Sequence, residues 1–276
     1  MSPTAVRTDD VEAEVAAATP ILRLVRGEGT AGSTWQGEGP SLGRWTCYVR
    51  VYGCNLHCGL IDGVGVRPDG CDTRHTWYEQ EFPRAEWAYE ASVAAVVADL
   101  RRRMEPRLRR GGTGMVFVTG GEPLVQGEAV GQLLRACRQQ GWHTEVETNG
   151  TLSSKRLGGP AEWSDQFNVS PKLEKGINRG ADPRSKRIRP EAIADLLATG
   201  RACWKFVVTD VGDLKELDWW VGEFQLPIDR VWVMPEGTSA NRIITRSQDL
   251  ADEVLARGLN LTTRLHTLVW GDERGR

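Results

Sequence analysis

The chain has 276 residues, with 35 lysines and arginines against 37 aspartates and glutamates. That balance supplies no global field for nucleic acid or a membrane surface, and the apolar runs are strand-sized, far short of a membrane span. The length suits one large domain or two small ones with a substantial core. Residues Met1 to Pro20 are acidic and alanine-rich, without the basic start and continuous apolar stretch of a secretory signal. They read as a mobile leader, with residues 21–276 as a single domain and the cytoplasm as the location.

Trp45 to Tyr52 reads as a strand that delivers Gly53 and Cys54 to a loop. Val93, Val96, Val97, Leu100 and Met104 share one face of a helix from about Ala91 to Met104. Met115 to Thr119 is a short buried strand, followed by a helix from about Glu128 to Gln140. Strands are expected over Thr144 to Thr148 and Gln166 to Val169. Pro190 suits the first turn of a helix through Leu197. Cys203 to Val208 reads as a strand, and Asp213 as the cap of a helix whose buried face carries Leu214, Leu217, Val221 and Phe224. A strand over Val231 to Met234, a helix over Ser247 to Ala256 and a strand over Leu261 to Leu265 complete the chain.

Strands alternating with helices of this length argue for parallel βα units. Six or seven such units suit an α/β fold with a curved parallel sheet, an incomplete (βα)6-type barrel with helices on its outer face. The segments Thr119 to Pro123, Glu147 to Gly150 and Ser170 to Lys172 each fall at or just past the C-terminal end of an expected strand. In parallel α/β architectures that edge binds ligands. Arg101 to Arg103 and Arg107 to Arg110 read as a solvated helix end. Lys172 to Arg189 reads as a basic loop able to border a phosphate or carboxylate ligand.

The six cysteines do not suggest a disulfide framework. Cys137 lies on the apolar stripe Val130, Leu133, Leu134, and Cys203 opens a buried strand. Cys54, Cys58 and Cys71 are clustered. Three thiolates can hold three irons of a [4Fe–4S] cluster and leave the fourth iron open, where S-adenosylmethionine could bind. Zinc is the competitor, completed by His57, His75 or Cys47, although zinc sites usually come as two close cysteine pairs. Cys47, on the strand before Cys54, reads as packing, with spare ligation open.

The downstream order of motifs distinguishes the two. Gln36-Gly37-Glu38-Gly39, Arg50, Gly53 to Cys58, Cys71-Asp72-Thr73, Thr119 to Pro123, Glu147 to Gly150, Ser170 to Lys172, Lys205 to Val207, Met234 to Gly237 and Arg264-Leu265-His266 together resemble the radical S-adenosylmethionine superfamily. Within it they resemble the 7-carboxy-7-deazaguanine synthase family, across nearly everything after the leader. The superfamily usually places three and then two residues between its cysteines, whereas here the second interval holds twelve, Gly59 to Gly70. An Arg-Gly-Glu-Gly also stands at Arg26 to Gly29. Spacing to Arg50 favours Gln36 to Gly39 for substrate contact.

The resemblance implies that Cys54, Cys58 and Cys71 ligate a [4Fe–4S] cluster. It implies S-adenosylmethionine contacts at Gly120, Gly121, Glu122, Asn149, Ser170, Lys172 and Glu236. Substrate contacts are implied at Gln36, Gly37, Glu38, Arg50, Thr119 and His266, and a Mg2+ contact at Thr73. Arg50 suits a carboxylate as a guanidinium does, and Thr73 suits magnesium only if substrate and water supply further oxygens. The implied enzyme is a lyase of deazapurine biosynthesis, as in the route to queuosine. A 5′-deoxyadenosyl radical would take hydrogen from C6 of 6-carboxy-5,6,7,8-tetrahydropterin, the ring would contract and lose ammonia, and 7-carboxy-7-deazaguanine would form. A flavodoxin-like or ferredoxin-like electron donor and a homodimer are implied as well, with no membrane or direct nucleic acid partner. An activase of glycyl radical enzymes and a zinc-stabilised binding module are the alternatives.

Overall fold

The structure is a computed structural model, which describes residues 20–61, 65–66, 70–271 and 273–275. The expected leader, Pro20 apart, lies outside them, as does part of the Gly59 to Gly70 interval. The strands are β1 (Ile21–Val25), β2 (Thr30–Trp35), β3 (Trp45–Val51), β4 (Leu60–Ile61), β5 (Gly65–Val66), β6 (Ala88–Ser92), β7 (Met115–Gly120), β8 (His143–Thr148), β9 (Gln166–Val169), β10 (Ala202–Val208), β11 (Val231–Pro235) and β12 (Asn260–Leu261). The longer helices are α1 (Val93–Leu108), α2 (Gly127–Gln139), α3 (Pro190–Ala198), α4 (Leu214–Phe224), α5 (Ala240–Ala256) and α6 (Leu265–Trp270).

One sheet runs in the order β12-β11-β10-β9-β8-β7-β3-β1-β6, with β2 also paired to β3. From β3 to β12 every pairing is parallel, as the alternation of strands and helices requires. β1, β2 and β6 form an antiparallel flank that the strand-helix pattern does not announce. The two ends of the order do not pair, so the barrel stays open.

Side chains alternate across a strand, and here alternation separates two chemistries. Cys47, Val49 and Val51 of β3, Val116 and Val118 of β7, Val146, Phe167 and Val169, Trp204, Phe206 and Val208, and Val231 and Val233 face the helices in one apolar core. Against them pack Val96, Leu100 and Met104 of α1 and Val130, Leu133, Leu134 and Cys137 of α2. A truncation such as Leu133→Ala, at a site with no exposure, is expected to cost about 3 kcal/mol. The intervening residues Tyr48, Arg50, Phe117, Thr119, Glu147, Asn168, Lys205, Val207 and Met234 line a pocket on the opposite, concave face.

Three expectations need correction. Leu261 to Leu265 is not a strand. Only Asn260–Leu261 pairs with β11, and α6 begins at Leu265, whose N–H donates to Gly37 O at 2.8 Å. α5 starts at Ala240 rather than Ser247, because Ser239 Oγ caps it by accepting from Arg242 N and the stripe Ile243, Leu250, Val254 carries its buried face. Asp213 does not cap α4. Its carboxylate turns back to accept from Thr209 N at 2.8 Å and Thr209 Oγ1 at 2.6 Å, while Asp210 accepts from Gly212 N. The buried face of α4 carries Leu214, Leu217 and Trp220, with Val221 and Phe224 only half-buried.

Candidate active site

The pocket opens at the C-terminal ends of the parallel strands, and register explains its membership. Arg50 lies opposite Thr119 and Val51 opposite Gly120 across β3 and β7, while Glu147 lies opposite Asn168 across β8 and β9. Cys54, Cys58 and Cys71 line one part of it. Each sulfur receives a donor: Leu56 N to Cys54 at 3.5 Å, Asn178 Nδ2 to Cys58 at 3.6 Å, and Trp77 Nε1 to Cys71 at 3.2 Å. Burial pushes all three thiols up, Cys58 to about 12, with the neighbouring cysteines adding to the rise at Cys54 and Cys58. Sulfurs that receive N–H donors are equipped as thiolates, and a bound metal core supplies the charge that deprotonates them.

Among the described residues, no three His, Cys, Asp or Glu side chains are gathered closely enough to clasp a lone metal ion. A structural zinc site needs four donors within about 2.3 Å of one point. Cys54, Cys58 and Cys71, each with an N–H donor to its sulfur and all lining one pocket, match the three-thiolate donor set of an iron–sulfur cluster. Cys47 takes no part. It points to the helix-facing core, where burial pushes its thiol to about 11.

The glycines have a packing reason. A Cβ at Gly120 would lie 2.2 Å from Val51 O, and one at Gly121 the same distance from Gly53 O. Gly120 also holds a φ of +137°. Thus the Gly-Gly step lets the end of β7 lie flat on the loop that carries Cys54. Both glycines line the pocket, as do Asn149, Ser170, Lys172 and Glu236.

Glu122 is placed differently from the other residues named from the sequence. It has no exposure and lies behind the pocket wall, where its carboxylate accepts from Leu124 N at 3.0 Å, Asn149 N at 2.7 Å and Thr148 Oγ1 at 2.9 Å. Burial pushes it up to about 7 against these donors. It ties the Gly-Gly turn to the Asn149 turn. Asn149 in turn donates to Asn55 Oδ1 at 2.9 Å, which couples that turn to the cysteine loop.

Another part of the same pocket is built of interlocked charges. Lys205, 3 % exposed, is ion-paired to Glu38 and lies 2.6 Å from Glu147 Oε1. Thr119 Oγ1 donates to Glu147 Oε2 at 2.9 Å. Arg264 Nε lies 3.1 Å from Glu38 Oε1, and its Nη2 lies 2.5 Å from Asp72 Oδ2 beside Cys71. Burial works to raise the Glu38 carboxyl, but Lys205 and Arg264 hold it far below the usual carboxylate range. Burial works to lower Lys205, and Glu147 and Glu38 override it, so the ammonium stays charged.

Gln36 Nε2 reaches Glu145 Oε2 at 3.5 Å, and Gln36 Oε1 accepts from Glu38 N at 3.4 Å. Its amide therefore braces Glu38. Glu145 is completely buried and also accepts from Ser41 Oγ at 2.5 Å and Asn168 Nδ2 at 2.9 Å. A Cβ on Gly37 would fall 2.0 Å from His266 Nδ1, so the glycine makes room for that ring. Burial keeps His266 below the usual imidazole value.

Arg50 pairs with Glu28 of the earlier Arg-Gly-Glu-Gly at 2.9 Å. Burial works to raise Glu28, but His75 and Arg50 hold it below its ordinary value. Both copies of the motif therefore line one pocket. Thr73 lines it too, with its hydroxyl 3.6 Å from Cys71 Sγ. Glu236 is ion-paired to Arg242 and Arg246. Of the cluster, cofactor, substrate and Mg2+ contacts that the resemblance implies, all but Glu122 line this pocket, whereas the alternative ligands Cys47 and His57 do not. Sequence reasoning assigned no role to Lys205, Glu147, Arg264 or Glu28. A lysine inside the apolar run Trp204 to Val208 was the available signal for the first of these.

No family model matches the chain. Proteins called 7-carboxy-7-deazaguanine synthase do. That of Hyperthermus butylicus is 30% identical over 93% of this chain and 96% of its own length. The one from Pyrobaculum aerophilum is 30% identical over 94% of this chain and 99% of its own, and the one from Halobacterium salinarum 30% over 86% and 87%. Among solved structures, QueE from Escherichia coli superposes with a TM-score of 0.58 at 22% identity, covering 88% of this chain and 95% of that one, which shows the shared fold. No helix among the described residues is long and apolar enough to cross a membrane. With near-complete coverage of these curated relatives at that identity, the chain belongs to the 7-carboxy-7-deazaguanine synthase family.

Proposed function

We propose that this chain is a radical S-adenosylmethionine lyase that converts 6-carboxy-5,6,7,8-tetrahydropterin to 7-carboxy-7-deazaguanine with loss of ammonia. The observation that carries the reading is convergence. Glu38, Arg50, Thr119, Glu147 and Lys205, drawn from five separate segments, meet in the pocket that holds Cys54, Cys58 and Cys71. When bound, the cluster and S-adenosylmethionine together supply an electron and a carbon radical able to take a hydrogen atom.

The protein's share is position and charge. Cys54, Cys58 and Cys71 would hold the cluster, and Gly120, Gly121, Asn149, Ser170, Lys172 and Glu236 would border the sulfonium compound, with Glu122 fixing two of those loops from behind. Lys205 keeps Glu38 as an ionised acceptor and pairs with Glu147, an arrangement suited to the N–H edge of a pterin. Arg50 would take the substrate carboxylate, a pairing its planar fork favours. His266, in its seat against Gly37, closes the same wall. Thr73 offers one oxygen to Mg2+, and the substrate carboxylate and water would complete the coordination. A flavodoxin-like or ferredoxin-like carrier would deliver the electron, and a homodimer is expected. A pocket walled by paired charges fits a small acidic heterocycle better than a polypeptide.

The test is anaerobic turnover. Reconstituted protein with the carboxypterin, dithionite and S-adenosylmethionine is expected to yield deazaguanine, read by mass, without net consumption of S-adenosylmethionine. Consumption of S-adenosylmethionine without that product would overturn the reading.

A further inference from the structure

The interval between Cys58 and Cys71 holds twelve residues, yet its two ends meet. β4 and β5 pair antiparallel within it, Leu60 opposite Val66, so the chain doubles back on itself. At the neck of that excursion Cys71 N donates to Cys58 O at 3.3 Å. A Cβ on Gly59 would lie 2.6 Å from Gly70 Cα, and Gly59 holds a φ of +77°. The neck therefore brings two of the three cysteines together, which a two-residue interval does by its length alone.

Asn178 grips the neck from behind. It has no exposure, and its carbonyl oxygen accepts from Gly59 N at 3.0 Å. Its side chain is fully committed. Nδ2 donates to Cys58 Sγ at 3.6 Å and to Asp182 Oδ2 at 3.0 Å, while Oδ1 accepts from Asp182 N at 2.9 Å. That set fixes which way the amide faces. A thiolate and a carboxylate only accept, so they take the NH2, and the backbone N–H takes the oxygen. Asp182, 3 % exposed, also accepts from His57 N at 2.8 Å and pairs with Lys186 Nζ at 2.7 Å. One carboxylate thus holds both the amide and the residue before Cys58. Arg187, itself buried, anchors this loop by donating to Lys172 O at 2.5 Å and to Asp182 O at 3.2 Å.

We propose that Asn178, oriented by Asp182, is a positioning residue for the cluster: it closes the neck of the long interval, and its N–H to Cys58 raises the reduction potential. This rests on the iron–sulfur reading above and adds the device that lets so long an interval serve it. Groups behind a metal's ligands orient those ligands and tune the metal, and hydrogen bonds to cluster sulfurs set part of the potential.

The test compares reconstituted wild-type enzyme with N178L and N178A, without S-adenosylmethionine. N178L keeps the volume and loses the donor, whereas N178A loses both. Iron release to excess bathophenanthroline sulfonate is expected to run about three- to tenfold faster in each variant. In a redox titration the reduction equilibrium should move toward the oxidised cluster by about three- to tenfold, tenfold being about 59 mV for one electron. A residue that only filled space would leave N178L like wild type in both measurements. N178A, read by its midpoint, decides the matter should N178L pack poorly. A midpoint unchanged in both variants, or iron release unchanged in both, overturns the proposal. Wild-type protein that assembles no cluster overturns the iron–sulfur reading beneath it.

Discussion

At the cysteine end of the pocket, three buried thiols receive neutral donors from Leu56, Asn178 and Trp77, and burial pushes each thiol up. Elsewhere in the same pocket, Lys205 and Arg264 are ion-paired within the protein to Glu38, Glu147 and Asp72, the last reaching back beside Cys71. The first end sets three sulfurs against Lys172 as the cation near Cys58, so three thiolates there suit a cationic group from outside. The second holds its shape by its own ion pairs. The two ends should therefore answer mutation in different ways, one through occupancy and the other through folding and substrate affinity.

The largest effect on that comparison is expected from loss of a proposed cluster ligand. C54S, C58S and C71S are each expected to lower turnover by about a thousandfold or more and to cut iron content, with the melting temperature of the metal-free protein little changed. C47A, in the helix-facing core, should keep activity within about fivefold. Iron and sulfide assays beside turnover check both.

Next comes K205M, which strands two carboxylates in a wall where Lys205 is their shared cation. Breaking a buried pair from one side is expected to cost about 3 kcal/mol in stability, and turnover about a hundredfold, at normal iron content. Denaturant unfolding with iron analysis separates this from the cysteine variants.

A smaller effect belongs to pH. Glu122, at about 7 in the folded chain against an ordinary 4.5, binds its proton more tightly when folded. Stability is therefore highest, on this group's account, below pH 4.5, falls as pH rises through the window from 4.5 to 7, and is lower by up to about 3 kcal/mol above it. E122Q should flatten that slope, as read from urea midpoints at pH 5 and pH 7.5.

The smallest sharpening is W77F, which removes the N–H donated to Cys71 Sγ. Hydrogen bonds to cluster sulfurs raise the reduction potential, so a redox titration should find it lower in W77F, with the KM for the carboxypterin within about twofold.

Much of this was legible along the chain because βα units announce themselves locally. β7, β8, β9 and β11 each fall within a residue or so of the run that named them, and the motifs at their ends reach one edge for that reason. The parity of β3 was equally readable: Cys47 shares a face with Val49 and Val51, opposite Tyr48 and Arg50. What escaped was pairing at a distance. β1 finds β6 across some sixty residues, and neither strand carries a strong alternation of its own. Lys205 meets Glu38 across 167 positions and Arg264 meets Glu38 across 226. No local pattern encodes such encounters. The Leu261 to Leu265 segment looked like a strand for its leucines and threonines, yet Arg264 and His266 are drawn into the pocket and break it.

The central claim is that Cys54, Cys58 and Cys71 leave one iron without a protein ligand. Electron paramagnetic resonance of the dithionite-reduced enzyme, with and without S-adenosylmethionine, tests it most directly. The account predicts a [4Fe–4S]+ signal whose g-values shift when S-adenosylmethionine is added. A cluster signal indifferent to S-adenosylmethionine, or a colourless protein with one tightly bound zinc, would contradict it.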